Sequence, residues 1–150
     1  MTAILTEVQK TDELVKLARK QINAFNNSDW ELLRGILASD AYYEEFGTER
    51  KVDSPAKIVE LFKGWKQAFP DAAGTVTSAF ASGKKAAIEV TWKGTHTGPL
   101  TTAEGTIAAS GKSMETPGAV LYTFEGNKIT SMRQYFDSLT LLKQLGVQPK

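Results

Sequence analysis

Residues 90–100 read VTWKGTHTGPL. The run that leads into them alternates. Ile88, Val90, Trp92 and His96 share one parity, and Glu89, Thr91 and Lys93 share the other. A strand of a sheet with one buried face sorts its side chains in this way, with the apolar set inward. His96, the only histidine in the chain, is therefore aimed inward beside Trp92. Gly94 leaves space next to the indole, as glycine does at a bulge or a close backbone approach. The loop that follows is not a phosphate cradle, because it has no Walker lysine and no helix signal after it.

Outward from this segment the two halves of the chain differ in period. Before it, Leu14, Val15, Ala18, Ile22 and Phe25 recur at helical spacing, and "NNSD" stops that helix. Ser28 with Glu31 three residues on has the form of a capping box. It opens a second short helix with Trp30, Leu33 and Leu37 on one side. Tyr42, Tyr43 and Phe46 mark a short strand. "DSP" starts a third helix, with Ser54 as N-cap and Pro55 in the first turn, and Pro70 ends it. Its apolar stripe is Ile58, Leu61, Phe62, Trp65 and Phe69.

After Gly74 the segments 75–82, 85–95, 113–124 and 128–137 are rich in β-branched and aromatic residues and are separated by turn chemistry, with a weaker strand at 102–109. A last helix runs from Ser138 to Leu145 and stops at Gly146. Helices first and strands afterwards indicate an α+β domain, with helices packed on one face of an antiparallel sheet.

In the two last strands parity is less clean. Val120, Tyr122 and Phe124 oppose Ala119, Leu121 and Thr123. Ile129, Ser131, Arg133, Tyr135 and Asp137 oppose Thr130, Met132, Gln134 and Phe136. The mixed sets fit a strand between a cavity and an interface, and they fit an edge strand equally well. Asp137, just before "SLTLL", has the position of a helix N-cap, and Asp71 in "FPDA" that of a turn residue.

Composition narrows the function classes. The chain has 150 residues, 41% of them hydrophobic and 23% charged, with a net charge of +1. This length fits one domain, 1–150, and the charge balance gives no footprint for nucleic acid or an anionic membrane. There is no cysteine, which removes disulfides and thiolate chemistry. One histidine cannot build a multi-histidine metal centre, and no carboxylate spacing argues for Mg²⁺. With no long apolar segment and no signal-peptide pattern, a soluble cytoplasmic protein is the expectation.

The pieces "FNNSDWELLRGILASDAYYE", "FKGWKQAFPD", "VTWKGTHTGPL" and "GNKITSMRQYFDSLTLLKQLG" resemble the SnoaL-like polyketide cyclases and the related ester cyclase proteins of the NTF2-like superfamily. The resemblance implies a cone: N-terminal helices packed on a curved antiparallel sheet around a deep cavity. It implies an enzyme without metal or organic cofactor that closes a ring by aldol condensation. By motif position it makes Asp137 the acid/base and His96 the histidine of the pocket, with a homodimer formed through the sheet.

Trp92, Tyr122, Trp65 and Phe69 would supply the apolar wall that raises an aspartate pKa. Tyr135, Tyr43 or His96 would supply a donor to an enolate oxygen. Arg133, if it faced Asp137, would oppose that shift. Two functions follow as expectations. The first is acid/base proton transfer on a hydrophobic carbonyl substrate, of cyclase or isomerase type. The alternative is a non-catalytic protein that binds a hydrophobic small molecule, or dimerises, with the same cavity.

Overall fold

The computed structural model describes residues 6–147. The chain forms α1 (Glu7–Asn26), α2 (Trp30–Ile36), β1 (Leu37–Phe46), β2 (Arg50–Val52), α3 (Pro55–Ala68), β3 (Ala73–Ser82), β4 (Lys85–Thr95), β5 (Leu100–Thr102), β6 (Gly105–Ile107), β7 (Ser113–Glu125), β8 (Lys128–Phe136) and α4 (Ser138–Gln144). Helices and a mixed sheet make the expected α+β cone.

Local chemistry sets the helix limits. Thr6 opens α1 with a capping box: Thr6 Oγ1 accepts from the Gln9 amide at 3.1 Å, and Gln9 Oε1 accepts from the Thr6 amide at 2.8 Å. The buried stripe of α1 is Leu14, Ala18, Ile22, Ala24 and Phe25, interrupted by one polar residue, Gln21. Asn26 at its end clamps Gly74 on β3, donating to the Gly74 carbonyl at 2.9 Å and accepting from its amide at 2.8 Å.

The cap of α2 is Asp29, whose carboxylate accepts from the Leu32 amide at 3.1 Å. Ser28, expected in that role, instead takes the turn's left-handed conformation at φ 53°. Leu37 likewise leaves the helix and begins β1. Ser54 caps α3 as expected, with Pro55 in the first turn.

Strands run in the order β2-β1-β8-β7-β4-β3. All neighbours are antiparallel except β1 and β8, which are parallel, so the sheet is mixed rather than antiparallel throughout. The β7–β8 hairpin returns the chain alongside β1, in the direction in which β1 left α2. Register shifts break the β1/β8, β3/β4 and β7/β8 ladders, and such bulges bend strands. The helices α1 and α3 pack on the inner face, α1 over β3 and β4 and α3 over β1.

The weak strand at 102–109 resolves into the small β5/β6 hairpin, a separate two-stranded sheet beside α3. The loop before it closes the end of α3. The Thr97 and Gly98 amides both donate to the Ala68 carbonyl, at 3.2 and 3.1 Å, satisfying an orphan acceptor of the helix terminus. A Cβ on Gly98 would lie 2.0 Å from the Gln67 carbonyl oxygen, so only glycine fits that approach.

Candidate functional site

The cone encloses a cavity of about 60 Å³. Its wall is built in layers. Ile22 and Phe25 come from α1, Phe62 and Trp65 from α3, and Phe69 from the cap that ends α3. Trp92 comes from β4, Met114, Thr116 and Val120 from β7, and Met132, Gln134 and Phe136 from β8. Gln21, Tyr43, Ala72 and Leu141 complete it. Among the described residues, no lining side chain is charged.

The aromatic rings lock one another edge to face: Phe25 meets Phe62 at 5.8 Å and Trp92 at 5.3 Å, and Tyr43 meets Phe62 at 5.0 Å. Apolar cavities of ~150 Å³ admit benzene, so entry of an aromatic ligand requires the wall to yield. Met114 and Met132, unbranched and flexible, are suited to that.

One end of the cavity is backed by a buried carboxylate. Glu45 on β1 is completely buried. Its Oε2 accepts from the Tyr43 hydroxyl at 2.7 Å and from Trp65 Nε1 at 2.9 Å. Its Oε1, on the side away from the cavity, accepts from Thr48 at 2.6 Å and from Arg50 Nη2 at 2.8 Å. A buried charge is tolerated only when paired and hydrogen-bonded in this way. Burial, and then the Glu45 charge, push the Tyr43 phenol well above its ordinary pKa, so it remains a neutral hydroxyl. Gln134 Nε2 donates to the Tyr43 oxygen at 3.2 Å.

A second polar pair joins β7 to α1. The Tyr122 hydroxyl donates to Gln21 Oε1 at 2.6 Å. Burial raises the Tyr122 pKa as well. Trp92 Nε1 is buried with no partner among the described residues. Gly118 on β7 lets the indole settle there, since a Cβ at 118 would lie 3.1 Å from Nε1.

Four of the eight expected site residues, Trp92, Trp65, Phe69 and Tyr43, line the cavity. The structure does not bring Asp137 and His96 together in it. Asp137 is exposed and caps α4, accepting from the Thr140 amide at 3.0 Å and the Thr140 hydroxyl at 2.6 Å. Those hydrogen bonds hold its pKa below the ordinary value, the opposite of what a base at neutral pH requires. The cause is parity: Met132, Gln134 and Phe136 face the cavity, and Asp137 shares the other parity with Arg133 and Tyr135. Arg133 is therefore also outside.

Tyr135 is 40% exposed and stacks on Phe46 at 4.4 Å on the outer face of the sheet. Tyr122 is buried behind the lining and acts on the cavity only through Gln21.

His96 does point inward but stops short of the cavity lining. Its Nδ1 accepts from the Ser110 amide at 3.1 Å, with the Ser110 hydroxyl 2.9 Å away. This places the proton on Nε2, which is buried and unpaired among the described residues. The ring stacks on Phe69 at 5.2 Å, and burial lowers its pKa. A neutral imidazole thus ties the 110–112 loop to the end of β4 and props the Phe69 wall.

Sequence reasoning missed Glu45, Gln21 and Gln134. Glu45 was detectable, because in "AYYEEF" it shares parity with Tyr43 and Ala41, both buried. Gln21 sits inside the α1 stripe. Gln134 shares its strand face with Met132 and Phe136.

A sequence profile of the SnoaL-like polyketide cyclases matches residues 15–145. No curated protein shows detectable sequence similarity to the chain. Solved structures share the fold. A Jannaschia sp. CCS1 protein assigned as a SnoaL-like polyketide cyclase superposes with TM-score 0.83 at 13% identity, over 99% of this chain and 100% of its own. IdmH of Streptomyces antibioticus, assigned as a polyketide cyclase, gives 0.74 at 24% identity, over 88% and 97%. An M. tuberculosis LEH-like epoxide hydrolase gives 0.68 at 19% identity, over 91% of each chain.

Proposed function

Because the chain belongs to the SnoaL-like polyketide cyclase family, we propose that it takes up a hydrophobic carbonyl compound inside the cone. Apolar walls supply the affinity, and a few neutral polar groups fix the orientation. The observation that carries this is the lining itself: interlocked aromatics and two methionines around uncharged hydrogen-bonding groups, with no ionisable carboxylate or imidazole in the wall. That lining supports holding a ligand better than proton transfer by Asp137 and His96.

The test is a titration with acetophenone followed by tryptophan emission, since Trp65 and Trp92 both line the cavity. A saturable change that is the same in Asp137→Asn is expected. No saturable change, or its loss in Asp137→Asn, contradicts the proposal.

One observation favours catalysis by a different group. Tyr43 presents a hydroxyl in the wall, hydrogen-bonded to Glu45. If that oxygen handles a proton during turnover of a carbonyl substrate, Tyr43→Phe abolishes turnover and leaves ligand affinity within a few-fold of the parent.

The outer face of the sheet favours a homodimer. Ladder partners Ala87 and Leu121 align with Phe80 on one side and Arg133 on the other, and Ala119 pairs with Tyr135. Phe80 is 64% and Leu121 37% exposed. A second copy covering this face would remove those groups from water.

A further inference from the structure

Three of the cavity's lining residues carry an aromatic N–H or O–H, and two of these are already committed. The Tyr43 hydroxyl and Trp65 Nε1 both donate to Glu45 Oε2. Behind the lining, Tyr122 donates to Gln21. Trp92 Nε1 alone of the three is buried without a partner among the described residues. Gly74 and Gly118 leave room for the bicyclic ring, and Phe25 meets it edge to face, but none of these contacts satisfies its N–H. A buried donor left unpaired is costly, and an acceptor brought in by a ligand removes that cost.

Charge narrows the ligand further. Among the described residues, no lysine, arginine or histidine lines the cavity. The buried Glu45 carboxylate stands one hydrogen bond behind Tyr43, and its partner Arg50 lies on the far oxygen. An anion entering the cavity would lose its water, find no cation and meet the negative end of the Glu45–Arg50 pair.

We propose that the ligand is a neutral molecule that rests an acceptor oxygen, of carbonyl or ether type, on the Trp92 indole N–H, and that the cavity rejects carboxylates. This rests on the cavity being a ligand site, and the experiment separates the two.

The protein is titrated at neutral pH with three probes of similar size: acetophenone, ethylbenzene and benzoate. Two sets of NMR signals are followed, the indole N–H resonances and the methionine methyls. Trp92→Phe assigns the indole signal and removes the donor while keeping an aromatic ring against Phe25.

Acetophenone is expected to move the Trp92 N–H downfield and to bind about three- to tenfold tighter than ethylbenzene. In Trp92→Phe the ketone's advantage over the hydrocarbon is expected to disappear, and cooperative urea unfolding checks that the variant is folded. Benzoate is expected to bind about tenfold or more weaker than the ketone.

Equal affinity for ketone and hydrocarbon, or an unmoved Trp92 signal while the Met114 and Met132 methyls report occupancy, overturns the inference and leaves the ligand site standing. Benzoate binding as tightly as acetophenone overturns the rejection of anions. If no probe moves the methyls, the ligand site and the inference fall together.

Discussion

Glu45 and His96 are both fully buried, and the fold holds them in opposite ways. Glu45 is held as one half of an ion pair with every lone-pair direction used. In Glu45→Ala the Arg50 charge and the Tyr43 and Trp65 donors lose their partner together. The expected loss is about 3–5 kcal/mol, read as a lower urea midpoint. His96 is held neutral. Burial lowers its pKa in the fold, below the unfolded value of about 6.5. The stability gained from keeping it neutral is therefore complete above that value and is lost as pH falls below it. Unfolding midpoints between pH 7.5 and 5 are expected to fall, and less so in His96→Phe. Parity alone made His96 legible as an inward residue. Its role was not, because the Ser110 partner lies 14 positions away across a loop.

At the scale of elements, strand and helix boundaries followed the turn residues closely, while the register breaks did not show. Ser131 pairs with Thr123, but the next partner of Phe124 is Ile129, so Thr130 is skipped. That bulge is why neither parity set of β8 reads as clean from sequence. It leaves Asp137 as the cap of α4. Asp137→Ala is expected to cost about 1 kcal/mol, a fall of about 2–4 °C in Tm for a domain of this size. Asp137→Asn, which keeps a capping oxygen, is expected to unfold near the parent temperature. The loop before β5 is tighter. Gly98→Ala drives a methyl into the Gln67 carbonyl and is expected to cost about 2–3 kcal/mol, measured by urea denaturation.

For the molecule as a whole, the resemblance spread along the chain was enough to read the cone, since a fold rests on many weak signals. The site rests on few. Transferring the family's acid/base and histidine to Asp137 and His96 required both side chains to point the same way across two strands and a loop, which sequence position does not determine. The wall was half legible because aromatic residues on helix α3 and strand β4 had nowhere to go but inward. The outer face belongs to this scale too. If a second copy covers it, light scattering gives twice the chain mass, and Leu121→Glu with Phe80→Glu gives a monomer that still binds acetophenone. A parent chain that scatters as a monomer at micromolar concentration contradicts the dimer.

The claim that the cone is a binding cavity is tested most directly through its methionines. Of the three in the chain, Met114 and Met132 line the cavity, and Met1 begins the sequence. In a ¹³C-methyl-methionine NMR titration with acetophenone, the Met114 and Met132 signals should shift together and saturate. Unmoved signals at Met114 and Met132, or a shift in proportion to added ligand without saturation, would contradict the account.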